Sequence, residues 1–166
     1  MTESFYCKKL PNIIKFEGDW FEYDKLLYSI FVKDFIYSQA LFKGKRVAAR
    51  KDPKVNGRRE GFYHLTHEDF YKTGFEHRIP DIRRCERLVW IRPIIENYGC
   101  VEDCCTHIKV WRNKDKVKLL FYELSYLIVL QDRKSHYAII TAFRIKYRHY
   151  LDNQIEEYEK LKENPI

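Results

Sequence analysis

The strongest constraint on the fold lies between residues 107 and 145, where the hydrophobic period shortens. Residues 107–111, 117–122, 124–131 and 136–145 form short segments rich in β-branched and aromatic side chains. Asn113-Lys114-Asp115 and Asp132-Arg133-Lys134-Ser135 separate neighbouring segments as turns. This pattern reads as an antiparallel meander. The flanking sequence has a helical period instead. Asp19 is placed to cap a helix beginning after Gly18, with Trp20, Tyr23, Leu27, Ile30, Phe31 and Phe35 on its apolar side. Pro80 and Asp81 open a second helix, with Leu88, Ile91 and Ile95 as its stripe. Pro93 falls inside that pattern and is expected to kink or end it, and Asn97-Tyr98-Gly99 closes it. A last helix runs from about Arg148, with Leu151, Ile155, Tyr158 and Leu161 on one face. The expected class is therefore α+β: N-terminal helices followed by a four-stranded antiparallel β-meander and a C-terminal helix.

At 166 residues, with 45% hydrophobic and 16% aromatic side chains, the chain is long and apolar enough to form one domain with a real core, spanning residues 1–166. No apolar run approaches the ~20 residues that cross a bilayer, so no membrane association is expected. Met1-Thr2-Glu3-Ser4 lacks the basic start and apolar centre of a secretory signal. An odd cysteine count without such a signal fits reduced thiols and a cytoplasmic location. Cys100, Cys104, Cys105 and His107 are close together, but C-x3-C-C-x-H departs from the paired spacing of structural zinc sites. A loop of free cysteines is the simpler reading, and no cofactor is expected.

The net charge of +7 is uneven. Residues 43–92 carry fourteen Lys or Arg against seven Asp or Glu, whereas residues 149–166 are acidic. A concentrated basic field favours a polyanion, most simply nucleic acid, although a solvated basic face has the same composition. Residues 41–56 read as short strand or loop, and Asp52-Pro53-Lys54-Val55-Asn56-Gly57 carries strong turn signals. The basic stretch 43–60 is therefore expected to be a mobile loop close to any substrate.

Imidazoles, guanidiniums and a strand hydroxyl supply the candidate chemistry. His64 lies between Tyr63 and Leu65, as either a hydrogen-bonded structural residue or an acid–base group. His67, three residues on, is a second acid–base group or simply a residue at a helix start. Together the two would make half a metal site, but no acidic partner set accompanies them. Arg84 and Arg87 share a side of the second helix, where they grip phosphate or pair with Asp81 and Glu86. Arg133 sits in a hairpin turn, a candidate phosphate contact or an ordinary exposed cation. Thr141 is a site hydroxyl or a strand former, and Tyr137 and Tyr147 are candidates for stacking on bases. Asp81 and Glu86 are five apart on a helix and do not converge as a metal-binding carboxylate pair. No Gly-rich phosphate loop, nucleophile elbow or Cys–His pair stands out.

Three stretches resemble the BECR superfamily of small metal-independent ribonucleases, named for barnase, EndoU, colicin and RelE, and in particular its phage-associated branch. They are Phe62-Tyr63-His64-Leu65, Pro80-Asp81-Ile82-Arg83-Arg84-Cys85-Glu86-Arg87-Leu88-Val89-Trp90, and Arg133 through Phe143. Glu156-Glu157-Tyr158-Glu159-Lys160 is also similar, and the likeness spans residues 15–162. The resemblance implies a toxin-type endoribonuclease that directs the ribose 2′-hydroxyl onto the adjacent phosphate and leaves a 2′,3′-cyclic phosphate. It implies His64 as catalytic histidine, Thr141 as the hydroxyl of the final strand, and Arg84 or Arg87 at the phosphate. RNA is then the substrate, and an acidic immunity protein or antitoxin a partner. In a regular strand, Thr141 would share the helix-facing side with Tyr137, Ile139, Phe143 and Ile145, while His136 and Arg144 point the other way. Its hydroxyl reaches a cleft only if the helices leave that face open or a bulge redirects it. Two other readings fit the same basic face: a non-catalytic nucleic-acid-binding module, and an interaction protein that meets an acidic partner.

Overall fold

The computed structural model describes residues 7–68, 78–99 and 108–166, and within them the protein is a mixed α+β fold. Asp19 starts α1 (Trp20–Val32) by accepting a hydrogen bond from the Glu22 amide at 3.1 Å, which satisfies one of the orphan donors of the first turn. Tyr23, Leu27 and Phe31 bury one face of α1, and a π-helical turn over Lys33–Tyr37 continues the stripe through Phe35. A hairpin of β1 (Leu41–Phe42) and β2 (Lys45–Ala49) follows, then a second hairpin of β3 (Lys54–Val55) and β4 (Arg58–Arg59). Next come α2 (Glu60–Thr66), the short strands β5 (His67–Glu68) and β6 (Ile79–Pro80), and α3 (Ile82–Glu86). After a 3-10 turn at Leu88–Trp90 come α4 (Ile91–Asn97), β7 (Ile108–Asn113), β8 (Lys116–Phe121), β9 (Tyr126–Asp132), β10 (Tyr137–Arg144) and α5 (Arg148–Leu161).

Six strands form the main sheet in the order β1-β2-β10-β9-β8-β7, antiparallel throughout except where β2 runs parallel to β10. Residues 45–49, inside the stretch 41–56 read from sequence as short strand or loop, form a strand. Val47, Ala48 and Ala49 stand opposite Tyr137, Ala138 and Ile139. Val47 and Ala49 are buried while Arg46 is exposed, so the segment alternates as a strand should. The helix expected between Pro80 and Asn97 is broken into α3, the 3-10 turn and α4. Pro93 lies in the first turn of α4, where its missing N–H costs little, and the break falls upstream of it.

The two faces of the sheet are covered unequally. One packs Val117, Leu119, Ile128, Leu130, Tyr137 and Ile139 against Leu27 and Phe31 of α1, Phe62 and Leu65 of α2, and Ile91 and Ile95 of α4. The other packs Trp111, Leu120, Leu127 and Val129 against Leu151, Ile155, Tyr158 and Leu161 of α5. Glu157 anchors α5 there by accepting from Trp111 Nε1, Asn113 Nδ2 and Lys118 Nζ. On that same face, small side chains at Ala48 and Ala138 floor an open groove over β2 and β10.

A β-bulge divides β10. Ile139 pairs with Leu130, but the next pair is Thr141 with Val129, leaving Ile140 as the extra residue. Before the bulge Tyr137 and Ile139 face the α1–α2–α4 core; after it Phe143 and Ile145 belong to the α5 side. Thr141, opposite the α5-side residue Val129, is thereby turned away from Tyr137 and Ile139. Among the described residues no helix is long and apolar enough to cross a membrane.

Candidate functional site

The groove over β2 and β10 has a volume of about 650 Å³. Its walls come from segments far apart in sequence: Gln39, Arg46, Arg50, Lys51 and Arg59 on one side, and Gln131, Arg133 and His136 on the other. His64 also lines it, and Ala48, Ala138 and Ile140 contribute its small and apolar side chains. The lining holds five Lys or Arg and no carboxylate. Such a concentration of one sign along a concave wall attracts an extended anion and repels cations.

Close backbone packing sets His64 at the groove. The Gly61 amide donates to the Arg50 carbonyl at 3.1 Å, docking the first turn of α2 against the end of β2. A Cβ on Gly61 would lie 2.8 Å from the Arg50 nitrogen and 2.9 Å from the Ala49 Cβ, so only glycine permits this approach. One helical turn after Glu60, the His64 imidazole meets its carboxylate, Nε2 to Oε1 at 3.1 Å. Glu60 is 6% exposed and also lies 3.0 Å from Arg50 Nε, so one buried carboxylate serves an imidazole and a guanidinium. With a carboxylate at Nε2, the neutral ring carries its proton there and Nδ1 bears the basic lone pair. Burial, and after it the Arg78 charge, hold the His64 pKa below its ordinary value, while Glu60 pulls it back up. The ring is neutral near pH 7 and has a carboxylate ready to stabilise it when it takes a proton.

His136 lines the same groove, with its Nδ1 3.0 Å from Ser135 Oγ. Arg133 lies beside it on the hairpin between β9 and β10. Thr141, half-buried, lies between Ile140, which lines the groove, and Phe143, which lines a second cavity farther along β10.

The other residues expected at the site lie elsewhere. His67 is packed among aromatic edges, with ring centroids 5.1 Å from Tyr63 and 6.4 Å from Trp20, and its Nδ1 is 2.8 Å from Thr66 Oγ1. Burial pushes its pKa down to about 4, which suits a neutral packing group and not a proton donor near neutrality. Arg84 serves as a clamp: Nη1 donates to the carbonyls of His64 and His67 at 3.2 Å, capping the end of α2, while Nε lies 3.5 Å from Asp81. Arg87 donates to the Arg83 carbonyl and the Glu86 carboxylate, with its guanidinium 5.2 Å from the Trp90 ring centroid. Neither arginine lines the groove. Tyr137 is 2% exposed, edge-on to Phe42 at 5.1 Å and beneath Lys45 Nζ, so it has no face left for a base. Tyr147 is 67% exposed but borders the second cavity.

Sequence reasoning missed Arg46, Arg50, Arg59, Glu60 and His136. The Glu60–His64 spacing was a visible i, i+4 signal; the others converge only through the parallel pairing of β2 with β10. Among the described residues no three His, Cys, Asp or Glu side chains converge as metal ligands. Cys100, Cys104, Cys105 and His107 lie outside the described residues. No protein-family model, no curated protein and no solved structure matches the chain.

Proposed function

We propose that the protein is an endoribonuclease of toxin type that cleaves RNA in the groove over β2 and β10 without a metal ion. The observation that carries this reading is the opening of His64 and His136 onto one basic groove, with the His64 ring backed by the buried Glu60 carboxylate. A single strand lies along the groove with its phosphates against Arg46, Arg59 and Arg133. His64 Nδ1 accepts the proton of a ribose 2′-hydroxyl as its oxygen attacks the adjacent phosphorus. The bond from phosphorus to the 5′-oxygen breaks, and His136 Nε2–H in its protonated form delivers a proton to that oxygen. The products are a 2′,3′-cyclic phosphate and a free 5′-hydroxyl. The guanidiniums neutralise charge growing on the phosphoryl oxygens, and Glu60 stabilises the imidazolium formed at His64. Thr141 does not line the groove, but it follows the groove residue Ile140 on the same strand and is the strand hydroxyl of this reading. The surplus of positive charge equally suits an acidic immunity protein or antitoxin as inhibitor.

The test is incubation of RNA with the protein in excess chelator, followed by analysis of the new ends. Cyclic phosphates are expected. Binding without cleavage would make the protein a nucleic-acid-binding module, and neither binding nor cleavage would leave an interaction protein.

A further inference from the structure

A second cavity, of about 200 Å³, lies between β10, α3 and the start of α5. It differs from the groove in being rimmed by aromatic rings. Phe143 packs on Tyr150 with centroids 6.1 Å apart, and the Arg84 guanidinium lies 5.4 Å from the Phe143 centroid. Tyr147 stands exposed at the mouth, held nearly parallel to His149 at 5.8 Å. Four cations line the cavity, and two are already engaged: Lys146 pairs with Glu68 at 3.3 Å and Arg84 with Asp81. Arg83 and Arg144 are exposed and have no carboxylate partner among the described residues. Exposed rings beside unpaired guanidiniums suit a ligand with a flat π-face and a negative charge.

Resting on the reading of the groove as an RNA site, we infer that this cavity is a nucleotide subsite for unpaired RNA. A base stacks on Tyr147 and Tyr150, and the flanking phosphates meet Arg83 and Arg144. The two cavities share β10: Ile140 lines the groove and Phe143 the second cavity, a separation of about 10 Å along the strand. An extended single strand crosses that distance within a few nucleotides. Arg84 ties the two together, since it walls the second cavity and donates to the carbonyl of His64. A base must leave its duplex stack to present a face to a tyrosine, so the subsite selects single strands over duplex. Every base has such a face, so it does so with little regard to sequence.

The test is fluorescence anisotropy with a short 2′-O-methyl RNA strand, which lacks the attacking hydroxyl and stays intact. Tyr147→Ala is expected to weaken binding about tenfold, and Tyr147→Phe to retain it, because stacking on one aromatic ring is lost in the first and kept in the second. Arg144→Ala should also weaken binding and reduce its salt dependence. The same strand annealed to its complement should bind wild type and Tyr147→Ala alike. If Tyr147→Ala and Arg144→Ala bind the single strand as wild type does, while Arg133→Ala binds it more weakly, the subsite is wrong and the groove stands. If wild type binds no single strand at all, both readings fall together.

Discussion

His64 on α2 and His67, the extended residue that follows that helix, are three residues apart, yet their surroundings give them opposite tasks. His64 keeps a carboxylate at one nitrogen and the groove at its side; His67 is enclosed by aromatic edges. For His64 to act as a base it must be neutral, so the acidic limb of the kcat/KM profile should rise with pH through a pKa lower than the ordinary ~6.5. Glu60→Gln removes a cause that raises this pKa, so that limb should move to still lower pH while the maximal rate falls. A limb at or above ~6.5 in wild type, read from a pH–rate profile, would contradict the assignment. For His67 the consequence is stability. Its folded pKa is about 4, so below its unfolded value of ~6.5 the unfolded chain takes up a proton that the fold refuses. Stability conferred by the neutral ring is complete above ~6.5 and is lost as pH falls toward 4, by about 1–3 kcal/mol once partial exposure is allowed for. His67→Phe keeps an aromatic ring against Trp20 and Tyr63 and should flatten that loss in denaturant titrations across the same pH range. An unchanged pH dependence would place the ring in water.

Elements whose signals are local were legible in the sequence. The Asp19 cap and the Tyr23–Leu27–Phe31 stripe fix α1, and Leu151, Ile155, Tyr158 and Leu161 fix the buried face of α5, because each depends on neighbours within one or two turns. The mixed α+β class follows from the same local periods. For residues 45–49 a short strand was one of two readings, but their pairing was illegible because the partner strand is β10, and no local pattern encodes a parallel pairing that distant in the chain. The bulge at Ile140 was equally hidden: strict alternation through β10 puts Thr141 with Tyr137 and Ile139, and one unpaired residue reverses that. The candidate site was half legible for the same reason. His64 and Arg133 lie at the groove, whereas Arg46 and His136 arrive there only when the distant strands pair. Thr141→Val tests the turned strand. It should leave the melting transition nearly unchanged, since a half-buried hydroxyl is exchanged for a methyl of similar shape. Turnover should fall about tenfold, the loss expected when one hydrogen bond to a charged group is removed. Thr141→Ser should keep most of the activity, and a fully active Thr141→Val would take the hydroxyl out of the chemistry.

Over the whole molecule the charge is sorted by fold as well as by sequence. The basic stretch 43–92 is not gathered into one patch: Arg46, Arg50, Lys51 and Arg59 wall the groove, while Arg84 and Arg87 are spent on carbonyls, carboxylates and rings. Affinity for single-stranded RNA should therefore fall with salt, and Arg46→Ala or Arg133→Ala should each reduce the log–log slope by roughly 0.7. Arg87→Ala should leave that slope unchanged, and a slope that responds to Arg87 and not to Arg46 would move the phosphate track off the groove. The decisive experiment compares wild type with His64→Ala under single-turnover conditions, on a labelled single-stranded RNA in excess chelator. Wild type is expected to leave 2′,3′-cyclic phosphate ends. His64→Ala, folded by its melting transition, is expected to cleave about 10²–10⁴-fold more slowly. Cleavage that needs an added divalent ion, or a His64→Ala protein that cleaves as fast as wild type, would contradict the assignment of His64 as the base.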